Sequence, residues 1–151
     1  MLNFNANKWF FISIFNFLIV AVIGVIMRYK IGFDFPYFDQ KNLQHGHSHF
    51  AFSGWISQTI MLLMVGIITP HIVNSKIRIY NWILGLNLFT AYGMLFAFLA
   101  NGYNTISIIF STASIITSFV FAFYYIKDLS GLKSFAPKRW FITSLLMIIL
   151  S

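Results

Sequence analysis

Three of the four histidines in this chain stand within five positions, in the run Gln44-His45-Gly46-His47-Ser48-His49-Phe50-Ala51-Phe52-Ser53-Gly54-Trp55, at the entrance to a long apolar segment. An imidazole carries a lone pair that can bind a metal ion or haem iron. Moving that ring into hydrocarbon without a partner is costly, so such rings are expected to be ligated, hydrogen-bonded or functional. Two backbone readings divide the cluster. On a helix, His45 and His49 share a face at i, i+4 and His47 points away by roughly 200°. On an extended start reaching Phe50, all three share a face. Gly46 and Ser48 are poor helix formers that suit either a frayed start or an N-cap. His49 lies deepest and is the first choice for a ring inside a bundle. Phe52, Ser53 and Ile56 then form a mostly apolar wall on its face, and Gly54 with Ala51 admits a flat ring or a neighbouring helix. His71 cannot join the cluster, because about 22 residues at ~1.5 Å each separate it from His49.

The elements that must position these rings are membrane helices. Hydrophobic residues make up 59% of the chain and charged residues 9%, with a mean hydropathy of +0.80; a soluble domain carries about 25% charged residues. A net charge of +7 in a soluble protein would suggest nucleic acid, but here the Lys and Arg flank apolar runs, where they orient the chain and meet anionic headgroups. Membrane lipid, and not nucleic acid, is the expected partner. The absence of cysteine excludes disulfides, iron–sulfur clusters, thiolate copper and covalently attached haem.

Apolar runs of spanning length, about 20 residues, predict helices over about 9–27, 47–69, 81–100 and 104–126, with a fifth over 140–151 that the chain ends within. The expected architecture is an all-α integral membrane protein, a polytopic bundle of four complete transmembrane helices plus a truncated fifth. It reads as one region without a soluble domain, and as the N-terminal part of a larger protein. The first run lacks a small-residue cleavage site and reads as a retained span. Pro36, Pro70, the Asn101–Asn104 turn and Pro137 punctuate these limits.

Charge sets the expected topology. Lys8, Lys76, Arg78, Lys127, Lys133, Lys138 and Arg139 fall on one side, against Arg28, Lys30 and Lys41 on the other. By the positive-inside rule the N-terminus is cytoplasmic and the histidine cluster lies at the outer end of the second helix. Simpler roles suffice elsewhere: snorkelling and interfacial anchoring for Arg28, Tyr29 and Lys30, interhelical hydrogen bonds for Asn87, Tyr92 and Asn101, and packing for the methionines, with Met61 and Met94 kept as remote haem ligands. Asp34, Asp39 and Asp128 are expected in loops, which leaves no intramembrane acid for a proton relay.

The order of a first helix closing on Gly24-Val25-Ile26-Met27-Arg28, a short outer loop with acidic and aromatic residues, then a helix opening on His-x-His with Phe-x-Phe-Ser-Gly-Trp, resembles the first two helices of the haem–copper oxidase subunit I superfamily, which includes cytochrome c oxidase and nitric oxide reductase. It is especially similar to divergent subunit-I-like membrane proteins with His-Ala-His and an aromatic-Gly pair. The resemblance covers roughly residues 20 to 58. It implies a bacterial inner-membrane protein with a cytoplasmic N-terminus, and a second-helix histidine as axial ligand of a non-covalent b-type or a-type low-spin haem. Carried onto His47-Ser48-His49 and Gly54-Trp55, it favours His49, with His47 and His45 as alternatives and Gly54 and Trp55 beside the cofactor. The family's second low-spin ligand, high-spin ligand and copper histidines would lie on later helices, and no histidine follows His71. The chain alone is therefore expected to be non-catalytic. An oxidoreductase would need further C-terminal helices or partner membrane subunits, and an electron donor. Two other readings stay open: a divalent metal-binding or transport protein that uses the cluster for zinc, copper or nickel, and a structural membrane subunit with hydrated histidines.

Overall fold

The computed structural model describes residues 4–132 and 138–150, so the expectations at Lys133, Pro137 and Ser151 lie outside it. The described elements are α1 (Ala6–Gly32), α2 (Gln40–Phe50), a π-helical segment (Ala51–Ser57), α3 (Gln58–Ile68), a 3-10 turn (Thr69–His71), α4 (Asn74–Asn101), α5 (Thr105–Gly131) and α6 (Lys138–Leu150). From Gln40 to His71 the chain forms one rod, so that four helices among the described residues are long and apolar enough to cross a membrane. The all-helical bundle follows from lipid, which offers backbone N–H and C=O groups no partner and so obliges each span to satisfy its own.

The helices outrun the apolar runs that announce them. The second begins at Gln40, not at 47, because the Asp39 carboxylate accepts the Lys41 and Asn42 N–H groups at 2.9 and 3.0 Å and fixes the helix start ahead of the hydrocarbon. At the other end of the bundle α4 begins at Asn74 and α5 continues to Gly131. This corrects the placing of Asp128, which is a buried residue of α5 and not a loop residue. Its carboxylate takes Lys76 Nζ at 2.5 Å and the Tyr80 hydroxyl at 2.9 Å, which offsets the cost of removing the charge from water.

The Gln40–His71 rod lies between α1 and α4; α4 packs in turn on α5, and α6 on α5. Two apolar cores result. At the histidine end Val20 and Ile23 of α1 meet Leu43 and Phe50 of α2 and Ala91 and Leu95 of α4. At the opposite end Met61, Met64, Val65 and Ile68 of α3 meet Tyr80, Ile83 and Leu84 of α4 and Phe121 and Tyr125 of α5, with Leu145 of α6. Phe11, Val25, Trp82, Phe89 and Phe123 face outward, as a lipid-facing surface requires.

Between the cores runs a seam of polar side chains centred on the π-helical segment. Asn16 of α1 donates to the Gly54 carbonyl at 2.5 Å and accepts from the Tyr92 hydroxyl at 2.8 Å. Asn87 of α4 donates to the Ser53 carbonyl at 3.0 Å and to Gln58 Oε1 at 2.8 Å. Ser13 and Thr59 pair beside them. Asn16, Gln58 and Asn87 are wholly buried. Carboxamides from the two flanking helices thus hold adjacent carbonyls of a segment whose i→i+5 hydrogen bonding is intrinsically weaker than the α pattern.

Candidate functional site

A helix runs through the whole cluster, which decides between the two backbone readings: His45 and His49 share one face and His47 the opposite one. Gly46, a poor helix former, is placed by packing. A Cβ there would come within 3.3 Å of Leu99, so the missing side chain is what lets α2 lie close on α4. The Ser48 hydroxyl bonds back to the Gln44 carbonyl at 2.9 Å and points out of the cluster.

The His45/His49 face looks onto α4 and the turn after it. That turn is tightly held. Gly102 has φ +61° and donates its N–H to the Phe98 carbonyl at 2.9 Å, while Asn104 and Ser107 exchange side-chain and backbone hydrogen bonds as a capping box that starts α5. Tyr103, between them, stands edge-on to His45 with ring centroids 4.6 Å apart and to Phe98 at 5.0 Å. The His49 ring lies flat on Phe98, with centroids 4.5 Å apart and planes 10° from parallel, and its Nε2 makes a long 3.4 Å contact with the Tyr103 hydroxyl. This fixes the His49 ring plane and leaves Nε2 with only a weak partner, the arrangement an imidazole needs if it is to give that nitrogen to a metal.

The other predicted site residues sit elsewhere. His47 faces α1, where a Cβ on Gly24 would lie 3.3 Å from its Cε1, and its Nδ1 is buried without a hydrogen-bond partner. Gly54 makes room for the Phe50 ring, which a Cβ would approach to 2.6 Å, and gives its carbonyl to Asn16. Trp55 packs on Phe17 of α1, with centroids 4.4 Å apart. The structure therefore gathers His45 and His49 on the α4 side, and places His47, Gly54 and Trp55 towards α1. The wall expected beside His49 is also different. Phe52 and Ile56 are exposed on the outside of the bundle, because the π-helical segment breaks the helical phase, while the Ser53 hydroxyl bonds back to the His49 carbonyl at 2.7 Å and its own carbonyl accepts Asn87; Phe98 and Tyr103 supply the wall instead. Among the described residues no group of three His, Cys, Asp or Glu side chains comes together as a metal-binding set. His71 ends the rod, far from the cluster.

The seam residues Asn16 and Gln58 were missed as buried polar groups. Each is a carboxamide inside an otherwise apolar run, and a polar side chain at that depth is the signal that could have found them. No family model, curated protein or solved structure matches the chain.

Proposed function

We propose that this chain is a haem-binding part of a membrane redox protein in which His49 is an axial ligand of a non-covalent b-type or a-type haem. The observation that carries the reading is the held ring of His49, flat on Phe98 with its Nε2 reached only by the exposed Tyr103 hydroxyl. An imidazole is the right donor for haem iron, and the exposed Tyr103 side chain is the group that a cofactor at Nε2 would have to displace. The group would supply one-electron chemistry; the chain contributes ring orientation through Phe98, on which the His49 ring lies flat. A second ligand and the route to an electron donor would have to come from further helices or partner membrane subunits. A divalent-metal reading has a narrower footing, since His45 and His49 give two imidazoles while His47 faces the other helix.

The excess of Lys and Arg on one side favours an N-terminus in the cytoplasm, and the resemblance to subunit-I-like proteins favours a bacterial inner membrane. A cysteine at Lys41 should label from outside and one at Ser75 from inside; the reverse pattern overturns this orientation. The haem reading is tested by reduced-minus-oxidised spectra of the protein purified with whatever membrane partners it retains. Low-spin bands should be present in the wild type, lost in His49→Ala and retained in His47→Ala and His71→Ala. An unaltered spectrum in His49→Ala, or no haem in the intact wild type, would discard it.

A further inference from the structure

A cavity of about 380 Å³ opens at the histidine end between α1 and α2, on the face away from His45 and His49. Its size is that of a small-ligand cleft, and its wall is mostly polar: Arg28 of α1 on one side, and Gln40, Gln44 and His47 of α2 on the other. The α2 residues recur at i, i+4 and i+7, so one helix face presents two carboxamides and an imidazole to a guanidinium. Among the described residues Arg28 has no ion pair or hydrogen bond. The two nearby acids in sequence, Asp34 and Asp39, do not line the cavity, and Asp39 is committed to capping α2. The His47 ring lines the same wall, and its Nδ1 is buried without a hydrogen-bond partner, a polar atom left for a ligand to meet.

One full positive charge and several donors, with no carboxylate in the wall, define an anion site. Its place at the end of the spans sets it at headgroup depth, where the abundant anion is phosphate, whose oxygens match a guanidinium bidentately. We propose that the Arg28–Gln40–Gln44–His47 cavity holds a phosphate-bearing anion, the phosphodiester of an anionic lipid headgroup. Snorkelling alone would bring Arg28 to the interface; the carboxamide and imidazole wall facing it is what a bare snorkelling cation does not require.

The test is lipid retention, measured by native mass spectrometry after extraction from nanodiscs of phosphatidylglycerol or phosphatidylcholine. Phosphatidylglycerol should be retained preferentially, and Arg28→Gln should lower its retention about tenfold, the loss of one charge-assisted bidentate contact. Gln44→Leu should lower it less, and Lys41→Gln, an exposed cation outside the wall, should leave it unchanged. Displacement by added inorganic phosphate, or binding of inorganic phosphate without retained lipid, would also support a phosphate site and identify the free ion as a source. Equal retention by wild type and Arg28→Gln overturns the proposal, as does an equal loss in Arg28→Gln and Lys41→Gln, which would mean diffuse attraction of a charged surface. The helix content of each variant, read by circular dichroism, separates site loss from unfolding.

Discussion

Asp128 is the residue whose environment makes the sharpest demand. A carboxylate at 7% exposure is tolerated because Lys76 and Tyr80 meet its two oxygens separately, Lys76 from a half-exposed position and Tyr80 from inside the core. Asp128→Asn keeps an acceptor for the Tyr80 hydroxyl and loses the ion pair. Asp128→Leu strands both partners. The leucine variant should therefore be the less stable, by about 1–3 kcal/mol relative to wild type, with the asparagine variant between them, in the midpoint of unfolding by sodium dodecyl sulfate. A leucine variant as stable as the wild type would show that the pair contributes nothing net. The same residue marks a limit of sequence reading, since apolar runs report where hydrocarbon begins but not how far a helix continues beyond it.

At the scale of elements, the π-helical segment sets how α2, with its histidines, is turned relative to α3. An i→i+5 turn carries about one residue more than an α turn, close to 100° of rotation, so side chains before Ala51 and after Ser57 cannot be projected on one helical wheel. This is why Phe52 and Ile56 left the face of His49. Deletion of Ala51 should restore an α pattern and turn α2 relative to α3, separating His49 from Phe98; a crosslink between cysteines at His49 and Phe98 should form in the full-length chain and fail in the deletion. Asn87→Leu should loosen the same segment and cost about 1 kcal/mol, because Ser53 and Gln58 lose their donor at once. The number and order of spans were legible in the sequence because lipid imposes length and apolarity on every helix. The π-helical segment was not, since it depends on carboxamides that arrive from α1 and α4 and leave no local pattern between Ala51 and Ser57. The candidate site was half legible: the histidine spacing gave the opposed faces, while Phe98 and Tyr103 lie roughly 50 positions away in sequence, out of reach of any spacing rule.

At the scale of the whole molecule, the bundle is two apolar cores joined across a polar belt. Its histidine-end core is built from α1, α2 and α4, and its opposite core from α3, α4, α5 and α6, so among the described residues both α4 and the Gln40–His71 rod, through α2 at one end and α3 at the other, supply large buried residues to both. Polar contacts between helices in lipid average well below the worth of a filled apolar core, which leaves the belt as the natural plane of division. The molecule should then open in two steps and not one. Amide hydrogen exchange in nanodiscs should sort α2 and α5 into separate protection classes, with α4 following the slower of the two, whereas a single class across all spans would show one cooperative unit. In such a protein α4 and the rod are paired spines, and the rod is interrupted at its π-helical segment while α4 is not. A perturbation of the ring pocket at Phe98 would be felt at Asp128 through the rigidity of α4, which carries Phe98 and both Asp128 partners, Lys76 and Tyr80, in one unbroken helix, and cutting its stiffness, for instance with Leu86→Gly on its exposed face, would leave each end folded while weakening the link between their exchange clocks.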